Sequence, residues 1–504
     1  MHQTVWDIVT NSPSARVIGA PGRAWMDGAG LALLAADTRA ALAGVGIGRS
    51  DRVAIVLPNG PEMATAFLAI AATCCSAPLN PGYKATEFAF YLDDLKPRAI
   101  VLLEGEAGPA RAMADQTGTP VITLHPHGPA GGFRLDVSAL PAAVLVDTGA
   151  ATPGDPALVL HTSGTTARPK IVPLTNANLV ASARHIAAAL ELVPGDTCLN
   201  VMPLFHIHGL IAATLSSVVA GAAVCCTPGF NAFKFGEWLA GVQPTWYTAV
   251  PTMHQAILMR LRAHPEVARA AGLRFIRSSS ASLPPQVMAE LEAVFGAPVI
   301  EAYGMTEATH QMASNPLPPR ARKPGAVGIA AGPEIAIMGD DDTLMAQGGI
   351  GEVVIRGPNV TPGYDKNPAA NVKAFTNGWF RTGDQGRLDE QGYLYLTGRL
   401  KEQINRGGEK ISPLEIDVVL LDHPAVAQVC VFAIPHDKLG EEVGCVVVPH
   451  PGQTVTEQEI RDFASARLAA FKVPRRVLVM DDIPKGATGK VQRIGLAEKL
   501  GLTA

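Results

Sequence analysis

The chain has 504 residues, of which 48% are hydrophobic and 17% charged, and a formal net charge of −4. This length exceeds one ordinary core, so two or more domains are expected, one of them large. The absence of a dense Lys/Arg run argues against a grip on nucleic acid or an anionic membrane and favours a small substrate.

Taken in order, the first residues, MHQTVWDIVTNSPSAR, have no cationic start followed by an apolar run, and GLTA at the end is no peroxisomal address, so a cytoplasmic protein is expected. Seven cysteines, none in C-x-x-C spacing, suit neither a disulfide framework nor a zinc site and read as small core residues. Short β-branched runs (RVAIVLP at 52–58, RAIVLLE at 98–104, PVITLH at 120–125) alternate with Ala-rich stretches, which predicts α/β layering around largely parallel sheets. The uncharged stretch from Gly209 to Cys226 is rich in Ala, Ser, Thr and Gly and predicts a buried helix running into a strand rather than a membrane span. After about residue 330, GEVVIRG (351–357) and GYLYLTG (392–398) predict a small β-rich subdomain. From Gly398 onward PLEIDVVLLDH, AQVCVFAIP, GCVVVP and EQEIRDFASARLAAF predict a final α+β unit.

Chemistry enters at Thr162-Ser163-Gly164-Thr165-Thr166-Ala167-Arg168-Pro169-Lys170, which follows the β-like run Ala157 to Leu160 and precedes a second one. Backbone N–H groups around a glycine form an anion-binding concavity, hydroxyls donate to phosphate oxygens and a lysine adds charge. The spacing is not that of a Walker loop, and composition alone leaves a plain Ser/Thr/Gly surface turn open. The loop resembles the T-S-G-T-T-G-x-P-K phosphate loop of the adenylate-forming superfamily of acyl-CoA synthetases, luciferases and peptide-synthetase adenylation domains. Ala167 stands where that family usually has glycine, which stiffens the loop without removing a donor.

Four further segments resemble the family in its order, so the similarity spans nearly the whole chain. Glu301-Ala302-Tyr303-Gly304-Met305-Thr306-Glu307 resembles its Y-G-x-T-E segment. The resemblance implies Tyr303, with Glu301 and Ala302, at the adenine, Thr306 at the α-phosphate and Glu307 on Mg²⁺, a hard cation that prefers carboxylate and phosphate oxygens. It implies Asp384, in WFRTGD, and Arg399, in GRLKE, at the ribose, and Lys490, in IPKGATGK, bridging the acid carboxylate and the α-phosphate. It also implies an acetyl-CoA synthetase-like fold: an α/β N-terminal domain (1–397) of layered subdomains plus the β-rich one, a hinge (398–401) with Lys401 at its pivot, and a mobile α+β lid (402–504). Asn405, Gly407 and Gly408 would then border the channel for coenzyme A.

The family reaction forms an acyl-AMP and then an acyl-CoA without a protein nucleophile, so no Ser/His/Asp or Cys/His arrangement is needed. The expected partners are a carboxylic acid, ATP and CoA, without nucleic acid or membrane, in a monomer or homodimer. The segments that line the family's acyl pocket are unusually polar here, offering His206, His208, Ser280 and His310, and His206 is also counted among the catalytic candidates. Such donors suit a second carboxylate better than a fatty chain, whose affinity comes from apolar burial of about 0.8 kcal/mol per methylene. The strings HIHG, EAYGMTEATHQMASNPLP and GRLKEQINRGGEKISPLEID are most similar to oxalate:CoA ligases, which implies oxalate. Malonate, a short fatty acid, an aromatic acid, a carrier-protein acceptor, or a nucleotide-binding regulator without catalysis are the alternatives.

Overall fold

A computed structural model describes residues 2–143, 150–162, 169–486 and 491–502. The apolar β-branched run at Arg52–Val56 forms a strand with parallel neighbours on both sides, as expected of a segment with little polar surface. It sits in a seven-stranded sheet that ends in the antiparallel hairpin Pro156–Thr162/Lys170–Thr175. A second, eight-stranded sheet has a parallel centre made of Ala223–Cys226, Thr197–Asn200, Trp246–Ala249, Phe275–Ser279 and Val299–Met305. Alternation along these strands sends Cys198, Val224, Trp246 and Phe275 to one core and Leu199, Cys225, Tyr247 and Ile276 to another.

The helix Pro61–Ala71 opens with proline at its first turn and is buried along nearly its whole circumference, because it packs on strands of both sheets. The Gly209 to Cys226 stretch folds as a π-helix (His208–Leu215), a short α-helix (Ser216–Val219) and the strand Ala223–Cys226, all interior. No helix of the described residues is long and apolar enough to cross a membrane. All seven cysteines are buried and unpaired.

The β-rich region predicted after residue 330 is a five-stranded sheet running from Glu334–Met338 through Gly351–Arg356 to Trp379–Leu388 and Leu394–Arg399. Beyond it, Ile404–Arg406, Glu409–Ile411, Val426–His436, Gly440–Pro449 and Arg476–Val479 make a separate sheet, covered by the helices Pro413–Leu421 and Glu457–Ser465. The apolar clusters of this last part contain no residue before Ile404. Within it the half-buried Arg493 lies against two carboxylates, at 2.5 Å from Asp417 and 3.4 Å from Glu402.

Candidate active site

Thr162, Ser280 and Tyr303 lie at or just beyond the carboxyl-terminal parts of the strands Pro156–Thr162, Phe275–Ser279 and Val299–Met305, where α/β sheets place their ligand sites. In the hairpin that carries the phosphate loop, Thr162 and Lys170 are register partners, so the loop leaves and returns at one point. Thr162 Oγ1 is buried without a partner among the described residues. Ser163, Gly164, Thr165, Thr166, Ala167 and Lys490 lie outside the described residues.

Lys170 Nζ lies 3.7 Å from the centroid of the Tyr364 ring, and the Tyr364 hydroxyl donates to Glu307 Oε1 at 2.8 Å. Burial lowers the Lys170 pKa, Glu307 opposes that shift, and nearby Lys401 adds to it. Burial raises the Glu307 carboxyl, against the bond from Tyr364 and the charge of Lys170. Glu307 sits in the 3₁₀ turn Thr306–Ala308, with Thr306 half-buried beside it. No group of three or more His, Cys, Asp or Glu converges among the described residues. The donor set therefore fits a divalent cation such as Mg²⁺, which is commonly held by one carboxylate together with phosphate oxygens and water.

Asp384 and Arg399 are register partners in adjacent antiparallel strands, and Arg399 Nε donates to Asp384 Oδ1 at 3.2 Å. Tyr303 also donates its hydroxyl to Asp384. Burial raises the Asp384 pKa, whereas Arg399 and Tyr303 favour its ionised form. Ala302 lies on the same strand as Tyr303. The Glu301 side chain turns inward: its Oε1 accepts the Leu283 N–H at 2.9 Å, pinning the loop after Ser280, and burial pushes its pKa up to about 8. The segment thus directs the Tyr303 hydroxyl to Asp384, while the Glu301 carboxyl serves the interior.

A second cluster brings His208, Ser280 and His310 together. The His208 ring lies 5.0 Å from that of His310 and contacts Ser280 Oγ at 3.1 Å through Nδ1 and Thr248 Oγ1 at 2.6 Å through Nε2. His206 is one turn away and half-buried, with its Nδ1 3.4 Å from the His208 N–H. Arg277, in the middle of Phe275–Ser279, is 0% exposed and lies beneath the cluster. Its guanidinium reaches His208 Nε2 at 3.3 Å, Thr248 Oγ1 at 3.5 Å, His310 Nδ1 at 3.5 Å and Gln311 Oε1 at 3.3 Å.

The backbone here is unusual. Ser280, Thr309 and His310 have φ of 77°, 51° and 88°, a region non-glycine residues rarely occupy and which persists where the surroundings dictate it. Buried Asn359 donates to Ala308 O and Gln311 O at 2.8 and 2.7 Å, and Ser182 donates to Thr309 O at 2.5 Å. Two glycines permit close approaches: a Cβ on Gly304 would sit 1.6 Å from His310 O, and one on Gly209 2.4 Å from Pro203 O.

Lys401 lies between the β-rich sheet and the last one, and Asn405, Gly407 and Gly408 belong to the hairpin Ile404–Arg406/Glu409–Ile411, whose turn glycines have φ of 60° and 98°. Sequence reasoning missed Tyr364, Thr248, Asn359 and Arg277. For Arg277 a signal was present: a charge inside the strand-like run Phe275-Ile276-Arg277-Ser278.

The chain matches the AMP-binding enzyme family over residues 7–365 and the C-terminal domain of AMP-binding enzymes over 415–490. It is 49% identical to an oxalate–CoA ligase of Arabidopsis thaliana over 455 residues, covering 89% of this chain and 88% of the relative. It is 42% identical to an oxalate–CoA ligase of Saccharomyces cerevisiae, covering 89% and 87%. Among solved structures, ATP-bound MatB from Rhodopseudomonas palustris superposes with a TM-score of 0.88 at 30% identity, over 99% of both chains. The apo form of MatB gives 0.77 at 29% identity and the same coverage. The chain belongs to the AMP-binding enzyme family.

Proposed function

We propose that this AMP-binding enzyme is an ATP-dependent acid:CoA ligase whose acid is oxalate. The observation that carries the choice of acid is the closed, donor-rich cluster of His208, Ser280 and His310, where a fatty-acyl pocket would be lined with apolar groups. The likeness to two oxalate–CoA ligases supports the same choice.

A carboxylate oxygen attacks the α-phosphorus, the bond to pyrophosphate breaks, and oxalyl-AMP forms. The CoA thiol then attacks the acyl carbon, loses its proton, and AMP leaves. Asp384 holds the ribose hydroxyls, with Arg399 fixing its orientation, and Tyr303 lies against the base. Thr162 through Thr166 and Lys170 cradle the polyphosphate, Thr306 meets the α-phosphate, and Glu307 holds Mg²⁺, which when bound neutralises phosphate charge. His206 lies at the mouth of the acid pocket, and His208, Ser280 and His310 hold the acid. Lys490 stabilises the charge that shifts from carboxylate to α-phosphate.

Residues 1–397 form the adenylation domain, 398–401 the hinge at Lys401, and 402–504 a lid that rotates between the two steps and brings Asn405, Gly407 and Gly408 to the CoA path. The separate sheet and apolar clusters after residue 403 support this division, as does the closer likeness to the ATP-bound than to the apo form of one relative. The enzyme works in the cytoplasm as a monomer or homodimer.

A CoA-dependent AMP-release screen over oxalate, malonate, acetate, octanoate and coumarate tests the assignment. Oxalate is expected to have the highest kcat/KM. Octanoate or coumarate ahead of oxalate by a large factor overturns it.

A further inference from the structure

Arg277 is the largest charged group with no exposure, and no carboxylate among the described residues pairs with it. Its Nε has no partner among them either. An unpaired buried guanidinium is costly, and even the partly exposed Arg493 of the same chain sits against two carboxylates, Asp417 and Glu402. The neighbours of Arg277 are instead two imidazoles, a hydroxyl and an amide, all uncharged in their ordinary neutral forms.

We propose that Arg277 is the positioning residue that makes this pocket selective for a doubly charged acid, supplying the counter-charge for the second carboxylate and setting the tautomers of His208 and His310. The inference rests on the dicarboxylate reading above and names the residue that enforces it.

A guanidinium only donates, so the ring nitrogens that face it, His208 Nε2 and His310 Nδ1, present lone pairs. A proton on His208 Nε2 would oppose the Arg277 N–H, so the Thr248 hydroxyl donates to that nitrogen and takes the Arg277 N–H on its own oxygen. The imidazole protons then reside on His208 Nδ1 and His310 Nε2. His208 Nδ1–H donates to Ser280 Oγ, which leaves the Ser280 hydroxyl proton to be given onward. One buried cation is thereby relayed through His208 to the Ser280 O–H, and an ionised carboxylate is purely an acceptor.

A monocarboxylate offers an alkyl or hydrogen end here and leaves the guanidinium uncompensated. A site with a buried polar group left unpaired rejects such an analogue far more strongly than a missing methylene does.

The test compares full-length wild type, Arg277→Gln and Arg277→Lys in ATP-dependent pyrophosphate release with oxalate, malonate, glyoxylate and acetate, with the KM for ATP measured in each. Arg277→Gln is expected to raise the oxalate KM by about tenfold or more and to cut the oxalate-over-glyoxylate ratio of kcat/KM by a similar factor, with the ATP KM unchanged. Arg277→Lys is expected to recover part of that ratio, because the charge remains while the fork is lost.

Equal losses for all four acids together with a raised ATP KM, or a Gln variant that keeps the ratio, overturn the inference. Should Arg277→Gln not fold, Arg277→Lys decides: a reduced oxalate-over-glyoxylate ratio supports the proposal and an unchanged one overturns it. A wild type that prefers acetate to both dicarboxylates defeats the oxalate assignment and this inference together. A wild type that prefers dicarboxylates, with a Gln variant that still does, defeats this inference alone.

Discussion

The two ends of the proposed site carry charge in opposite ways. At the proposed nucleotide end Asp384 is answered by Arg399, and Glu307 is linked through Tyr364 to Lys170, so each carboxylate has a local partner within the chain. At the proposed acid end no carboxylate among the described residues pairs with the buried guanidinium of Arg277. A balanced site tolerates being empty and gains from a ligand mainly by positioning it, whereas an unbalanced one discriminates by charge.

Lys490, expected to bridge both ends, gives the largest predicted effect. Lys490→Ala should lower oxalyl-AMP formation by about a hundredfold or more while sparing thioester formation from supplied oxalyl-AMP. Lys401→Pro should do the reverse, keeping pyrophosphate release and blocking the CoA step. Single-turnover assays of each half-reaction separate the two, and equal loss of both steps in either variant defeats the lid assignment.

Asp384→Asn addresses the balanced end alone. It should raise the KM for ATP by about ten- to a hundredfold and leave that for oxalate unchanged, and a matching rise in both would mean that the two ends are not independent. His310→Ala is its counterpart at the other end, expected to raise the oxalate KM by about tenfold without changing acetate activation. An equal loss for every acid would make His310 a support of the fold.

The last prediction concerns stability. Burial holds the Glu301 carboxyl at about 8, above its ordinary value of 4.5, so the native state prefers the neutral acid. Stability from this group is present at low pH and lost as pH rises toward 8. Glu301→Gln keeps an acceptor for Leu283 and carries no titrating proton. The difference in unfolding midpoint between the variant and wild type should therefore move in the variant's favour between about pH 4.5 and 8 and level off above it. A difference that is flat with pH would mean the carboxyl is not buried as described.

Much of this was legible in the sequence. The layered α/β order, the β-rich insertion and the last α+β unit follow from strand-like runs and their punctuation, and RVAIVLP, GEVVIRG and AQVCVFAIP all became strands. Glu307, Asp384 and Arg399 stood in segments that resemble the family's motifs, and that resemblance, not their spacing, singled them out. The partners were not legible, because they meet only through tertiary structure: Tyr364 is 57 residues from Glu307, and Arg277 is 69 from His208. Nor could the sequence say that Glu301, in the same segment as Tyr303, turns its carboxyl to the Leu283 N–H, or that the chain widens into a π-helix at His208. Strand alternation and helical period describe faces, and both are blind to one side chain turned against its face or one turn with an extra residue.

The buried cysteines have a chemical meaning beyond packing. An acyl-adenylate is a mixed anhydride that acylates any thiolate within reach, so an enzyme that builds one and waits for a thiol carries a hazard in its own sulfur. Burial pushes the thiols of Cys75, Cys225 and Cys430 up to about 12 and raises the other four as well. Protonated and enclosed, they are poor nucleophiles at neutral pH. The incoming coenzyme meets its electrophile without an internal rival, and the catalyst is spared modification by its own intermediate.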